Sequence, residues 1–162
     1  MTNDIVDLAA QAGRALRARG WLLATAESCT GGAVAQAVTE VAGASAWFEC
    51  GFVTYSNDAK TRLLGVPAAL IARHGAVSEE VAAAMASGAL ANSSAHIALS
   101  TTGIAGPTGA VPGKPVGTVC FGWSHAGHTH TERLVFGGDR HAVREQSVRH
   151  ALQALLRLIQ TP

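Results

Sequence analysis

The stretch Trp21-Leu22-Leu23-Ala24-Thr25-Ala26-Glu27-Ser28-Cys29-Thr30-Gly31-Gly32 decides the fold. Its first half, Trp21 to Ala26, is a short apolar run of the kind that makes a buried strand. Its second half turns abruptly polar and then glycine-rich. Beyond it, Ala33, Val34, Ala37, Val38 and Val41 recur at helical spacing. Before it, Ile5, Leu8, Ala9, Ala12 and Leu16 form another helical stripe, which Gly20 ends. The chain therefore opens as helix, strand, Gly-rich turn and helix.

Outward from this unit the pattern repeats and then changes. Phe48 to Tyr55 reads as a second strand. Ser56 or Asn57 can cap a helix that carries Lys60, Leu63 and Leu64 and ends at Gly65 and Pro67. Ser78 caps a further helix, with Glu79 and Glu80 in the first turn, where the helix dipole favours acids. His96 to Thr102 is a third strand, followed by a long turn rich in Gly and Pro from Gly103 to Pro115. Val116–Trp123 and Thr129–Phe136 are two strands joined as a hairpin. Asp139 caps a last helix bearing Val148, Leu152, Leu155 and Ile159. The sum is a single α/β domain over residues 1–162, with three α/β/α layers and a mixed sheet that includes a late antiparallel hairpin.

Composition narrows the function. Apolar residues make up 48% of the 162, and the formal net charge is +1. There is no broad basic field, so no nucleic-acid partner is expected. No apolar run is long enough for a membrane span. Cys29, Cys50 and Cys120 form no Cys-x-x-Cys pair and no even framework, which suits a reducing, cytoplasmic setting. His125, His128 and His130 cluster in the hairpin loop without an acid or cysteine ligand beside them, so no metal is expected. Trp21, Trp47 and Trp123 read as packing anchors.

Three strand ends carry unusual polar residues: Glu27-Ser28-Cys29-Thr30-Gly31-Gly32, Tyr55-Ser56-Asn57-Asp58-Ala59-Lys60 and Thr101-Thr102-Gly103-Ile104-Ala105-Gly106. In open α/β sheets ligands collect beyond the carboxyl ends of the strands. Ser28 at a strand-to-helix turn is placed to be a nucleophile, and the amides of Thr30, Gly31 and Gly32 are candidate donors to an oxyanion or phosphate. Capping of the next helix by Ser28 or Thr30 is the plainer alternative. A serine needs a base. Lys60, one turn into the helix after Tyr55, can face the same cleft, but only a neutral lysine can act, and Glu27 must then pair elsewhere. Thr102, Gly103 and Arg140 are candidates to hold a phosphate or ribose. Cys29 is a rival nucleophile, because a thiol at a helix N-terminus can be activated.

These residues also carry a resemblance. Thr25–Gly32, Gly51–Asn57 with Lys60, His74–Ser78, Thr102–Pro107, Lys114–Val119 and Gly138–Arg140 occur in the order of the CinA C-terminal domain family, across nearly the whole chain. The resemblance implies an amidohydrolase that converts nicotinamide mononucleotide to nicotinate mononucleotide and ammonia in pyridine nucleotide recycling. It implies a serine nucleophile, Ser28, assisted by Lys60 and Tyr55, with no cofactor and no metal. Thr30, Gly31, Gly32, Thr102, Gly103, Gly106 and Arg140 would contact a small nucleotide substrate, and a homodimer is expected. The chain departs from the family's pattern at Thr108–Gly113, which lacks the acids common there. A non-catalytic nucleotide-binding module and a thiol hydrolase using Cys29 stay open as alternatives.

Overall fold

The computed structural model describes residues 1–161. The elements, in chain order, are α1 (Asn3–Arg19), β1 (Leu23–Glu27), α2 (Ala33–Thr39), β2 (Phe48–Val53), α3 (Asn57–Leu64), α4 (Ala68–His74), α5 (Glu79–Ala91), β3 (Ile97–Gly103), β4 (Thr118–His125), β5 (His128–Val135) and α6 (Arg140–Gln160), with one 3-10 turn over Ala44–Ala46 before β2. The sheet order is β2-β1-β3-β4-β5. β1 runs parallel to β2 and β3, and β4 and β5 add antiparallel partners as the expected hairpin.

Strand pleat sorts the side chains between two cores. Leu23, Ile97, Leu99, Val119, Phe121 and Trp123 face α1, α2 and α6. Ala24, Ala26 and Ala98 face α3, α4 and α5. These small residues let the second helical layer approach the sheet closely. Gly88 on α5 does the same between helices: a Cβ there would lie 1.9 Å from the Leu64 carbonyl oxygen of α3. Trp47 and Trp123 are buried, the first against Gly13 of α1, so both are packing anchors as expected. No helix among the described residues is long and apolar enough to cross a membrane.

The local signals were well placed where a side chain acts on its own neighbours. Ser56, Ser78 and Asp139 accept hydrogen bonds from Ala59, Val81 and Ala142 respectively, each capping its helix. Two details differ. Pro67 read as part of a stop, but it also stands at the N-cap of the short helix α4, since proline tolerates a helix start as readily as it ends one. β1 extends to Glu27 and β2 stops at Val53, which leaves Ser28 as the first residue past its strand and Tyr55 in the connection to α3.

The chain leaves β1 for β2 on one side and then crosses back to β3 on the other. That reversal makes the carboxyl ends of β1 and β3 the topological switch point, where this class of sheet binds ligands. The close α3–α5 packing can be tested. Gly88→Ala should lower stability by about 1–3 kcal/mol through overpacking, seen as a lower urea midpoint with an unchanged slope.

Candidate functional site

At the carboxyl end of β1, Ser28 and Lys60 are in direct contact. Ser28 is 8% exposed and Lys60, for all its length, 1%. Lys60 Nζ lies 3.0 Å from Ser28 Oγ, 3.1 Å from the Thr54 carbonyl oxygen and 3.0 Å from the Tyr55 carbonyl oxygen. The lysine comes from the first turn of α3, whose phase is set by the Ser56 cap. The carbonyls come from the chain leaving β2, and the Thr54 amide is tied to the Glu27 carbonyl of β1 at 2.8 Å. Burial pushes the Lys60 pKa below the ordinary lysine range, because the charged form loses water. Two carbonyls can only accept. The Ser28 hydroxyl stands at the third position around Nζ, and burial favours the neutral amine over the ammonium.

Glu27 does pair elsewhere. Its carboxylate, fully buried, accepts from the Thr30 hydroxyl at 2.7 Å and the Val34 amide at 2.8 Å on one oxygen, and from the Ala35 amide at 3.0 Å on the other. It therefore caps α2 from the strand before it. The pleat explains the direction: Glu27 shares a face with Leu23, toward α2 and away from α3. Neither the Ser28 nor the Thr30 side chain has the capping role, and the Val34 and Ala35 amides of the first turn of α2 are taken by Glu27.

The expected donors divide. The Gly31 amide is spent on the Ser28 carbonyl at 3.0 Å, closing a tight turn over Ser28–Gly31. Among the described residues, the amides of Thr30 and Gly32 donate to no other group of the chain. The turn needs both glycines, with φ of 60° at Gly31 and 97° at Gly32. The Thr30 side chain is committed to Glu27 and, at 2.8 Å, to the Thr101 hydroxyl.

The structure gives the other expected contact residues partners within the chain. The Thr102 hydroxyl is buried and donates to the Ala76 carbonyl at 2.8 Å, so it is an internal brace rather than a donor to ligand. Gly103 is needed for packing: a Cβ there would lie 2.8 Å from Val119 and 3.0 Å from Cys29 Sγ. Tyr55 is 63% exposed. Its phenol meets Arg140 at 3.2 Å, and it is the Tyr55 carbonyl, not the ring, that Lys60 touches. Arg140 also donates to the Gly106 carbonyl at 2.8 Å. Tyr55, Gly106 and Arg140 thus form one cluster. His125 is bound to the His96 carbonyl and His130 to Glu132, and among the described residues no group of three metal-binding side chains occurs.

Cys29, next to Ser28, points into the protein. It is buried against Gly103, and burial together with the Glu27 charge raises its thiol to about 12. One residue escaped the reading of the sequence. Arg144, on α6 one turn beyond Arg140, donates to the carbonyls of Cys29 and Thr30 at 3.1 and 3.3 Å. Its four-residue spacing from Arg140 put it on the same helix face, which is the signal that was available.

A family model described as the CinA C-terminal domain matches residues 5–159. The nicotinamide-nucleotide amidohydrolase PncC of Escherichia coli is 53% identical over 154 residues, spanning 94% of this chain and 93% of that protein. A protein of the same name from Pseudomonas putida is 53% identical over 156 residues, spanning 96% and 98%. Among solved structures, the competence damage-inducible protein A from Klebsiella pneumoniae superposes with a TM-score of 0.95 at 45% identity, covering 99% of this chain and 100% of that one.

The buried thiol yields a direct check. At pH 7.5 iodoacetamide should label half-buried Cys50 first and leave Cys29 and Cys120 unmodified until the protein unfolds, because a thiol raised to about 12 or about 11 holds almost no thiolate. Peptide mapping after timed alkylation reads the order.

Proposed function

The chain belongs to the CinA C-terminal domain family, and on that premise we propose that it is an amidohydrolase which cleaves the carboxamide of nicotinamide mononucleotide, releasing ammonia and nicotinate mononucleotide. The observation that carries the chemistry is the 3.0 Å contact between Lys60 Nζ and Ser28 Oγ. The names of the two PncC relatives support the substrate.

Neutral Lys60 takes the Ser28 proton as Oγ attacks the carboxamide carbon. The carbonyl oxygen becomes an oxyanion held by free amides of the turn, Thr30 and Gly32, the kind of preorganised donor that contributes most in acyl transfer. Protonated Lys60 then gives its proton to the departing nitrogen. The carbon–nitrogen bond breaks, ammonia leaves, and the nicotinoyl group remains as an ester on Ser28. Water attacks that ester with Lys60 again as base, which frees the carboxylate and restores the serine. No relay through the Tyr55 phenol is required, since the lysine reaches the serine unaided. Tyr55 and Arg140 act instead as a cluster for the ribose and phosphate. The guanidinium keeps donors beyond those given to Gly106 and Tyr55, and Gly106 provides the carbonyl that orients it. The burial and raised pKa of Cys29 weigh against the thiol alternative.

The sign of the pH dependence follows from which form of Lys60 works. The neutral amine is the base, so kcat/KM for ammonia release should rise with pH and level off above an apparent pKa lower than that of free lysine, about 10.4. Lys60→Met should lose about 10²–10⁴-fold and the titration with it. Ser28→Ala should lose at least as much while still binding nicotinamide mononucleotide in calorimetry. Undiminished ammonia release by Ser28→Ala would end this reading, and binding without turnover by the unaltered protein would favour a non-catalytic module.

A further inference from the structure

The turn that carries Ser28 is gripped from behind by a cation that the scheme above does not use. Ser28–Gly31 is a four-residue turn closed by the Gly31 amide on the Ser28 carbonyl. Its central peptide joins Cys29 to Thr30. Arg144 Nε donates to the carbonyl of that peptide at 3.1 Å, and Nη2 donates to the next carbonyl, Thr30, at 3.3 Å. A trans peptide holds its C=O and N–H on opposite sides, so fixing the Cys29 carbonyl toward Arg144 turns the Thr30 N–H away from it. Arg144 reaches the turn from α6, on the α1/α2/α6 side of the sheet. Lys60 reaches Ser28 from α3, on the other side. The Thr30 amide therefore points away from Arg144, and among the described residues it has no partner.

The surroundings are built for this grip. A Cβ on Gly31 would sit 3.3 Å from Arg144 Nη2, so the guanidinium lies close against the turn. Arg144 pairs with no carboxylate among the described residues. Its neighbour Glu145 is taken by Arg149 at 3.2 Å and His141 at 3.3 Å. The charge is left to act on the two carbonyls. A cation on a peptide oxygen draws electron density from the same peptide's N–H, and hydrogen bonds to charged groups are markedly stronger than neutral ones.

We infer that Arg144 is a positioning residue for the oxyanion site, which orients the Cys29–Thr30 peptide and strengthens its N–H as a donor to the developing charge. This rests on the reading of Ser28 as nucleophile. Arg144 stabilises the transition state through that peptide and touches no part of the substrate.

The test uses the full chain and the variants Arg144→Gln, Arg144→Lys and Arg144→Met. Two rates are read: steady-state ammonia release from nicotinamide mononucleotide, and phosphonylation of Ser28 by a fluorophosphonate, followed by mass spectrometry. The second needs the same oxyanion donors but no nucleotide. Thermal unfolding of each variant is recorded alongside. Arg144→Met should lose about 10²-fold in kcat, the scale of one oxyanion donor, with KM within about twofold, and should slow phosphonylation in parallel. Arg144→Gln keeps one hydrogen bond without the charge and should lose about tenfold at an unchanged melting temperature. Arg144→Lys keeps the charge without the fork and should fall between wild type and Arg144→Met. If Met does not fold, Gln and Lys decide. An unchanged kcat in Arg144→Gln overturns the inference. So does a loss confined to KM, which would make Arg144 a direct ligand of the substrate phosphate. Undiminished activity in Ser28→Ala is a different failure, since it removes the nucleophile and not the role of Arg144.

Discussion

A lysine amine almost sealed from water, held between one hydroxyl and two backbone carbonyls, is the constraint around which this domain is arranged. Burying an ammonium without a carboxylate costs on the order of several kcal/mol, and no acid pairs with Lys60 among the described residues. Burial therefore favours the neutral amine, with two carbonyls and one hydroxyl around Nζ. This arrangement depends on three elements at once. The end of β1 must deliver Ser28, the chain after β2 must deliver the carbonyls of Thr54 and Tyr55, and α3 must deliver the amine. Parallel pairing of β1 with β2 and the Ser56 cap on α3 are what bring the three into register.

The same geometry needs Glu27 out of the way. A carboxylate beside Lys60 would hold it charged and abolish a base. The pleat solves this within one residue. Glu27 points toward α2, where two amides and a hydroxyl satisfy it, while the next residue, Ser28, begins the turn and reaches the opposite side. The acid thus stabilises the helix that follows Ser28 without placing a negative charge on Lys60. Thr101 and Thr102 divide in the same manner, one hydroxyl joining the Thr30–Glu27 network and the other bracing Ala76.

Much of this was legible in the chain. The strand, turn and helix around Ser28, the three caps and the late hairpin depend on neighbours in sequence, and they stand close to where pattern put them, with small shifts at the strand ends. The convergence of three strand ends was legible too, because open sheets gather ligands at that edge. What was hidden depended on which face of a strand a residue takes. Thr102 and Thr101 look interchangeable in sequence, and a one-residue difference in pleat assigns them to opposite layers. Arg144 was hidden because its partners are carbonyls, which every residue carries and no motif marks. Tyr55 was half legible: its position mattered, but Lys60 uses its backbone.

The choice between Ser28 and Cys29 shows how far one residue of chain direction can decide chemistry. In isolation the thiol is the better nucleophile, with the lower pKa. Here it faces inward, against Gly103 and near the Glu27 charge, and both effects oppose a thiolate. The hydroxyl faces the buried amine of Lys60, whose pKa burial lowers. The proposed choice of Ser28 as nucleophile therefore rests on the surroundings and not on intrinsic reactivity. The two environments, anionic and apolar on one side of the sheet edge, carbonyl-lined and basic on the other, are set by a five-residue strand and the turn that ends it.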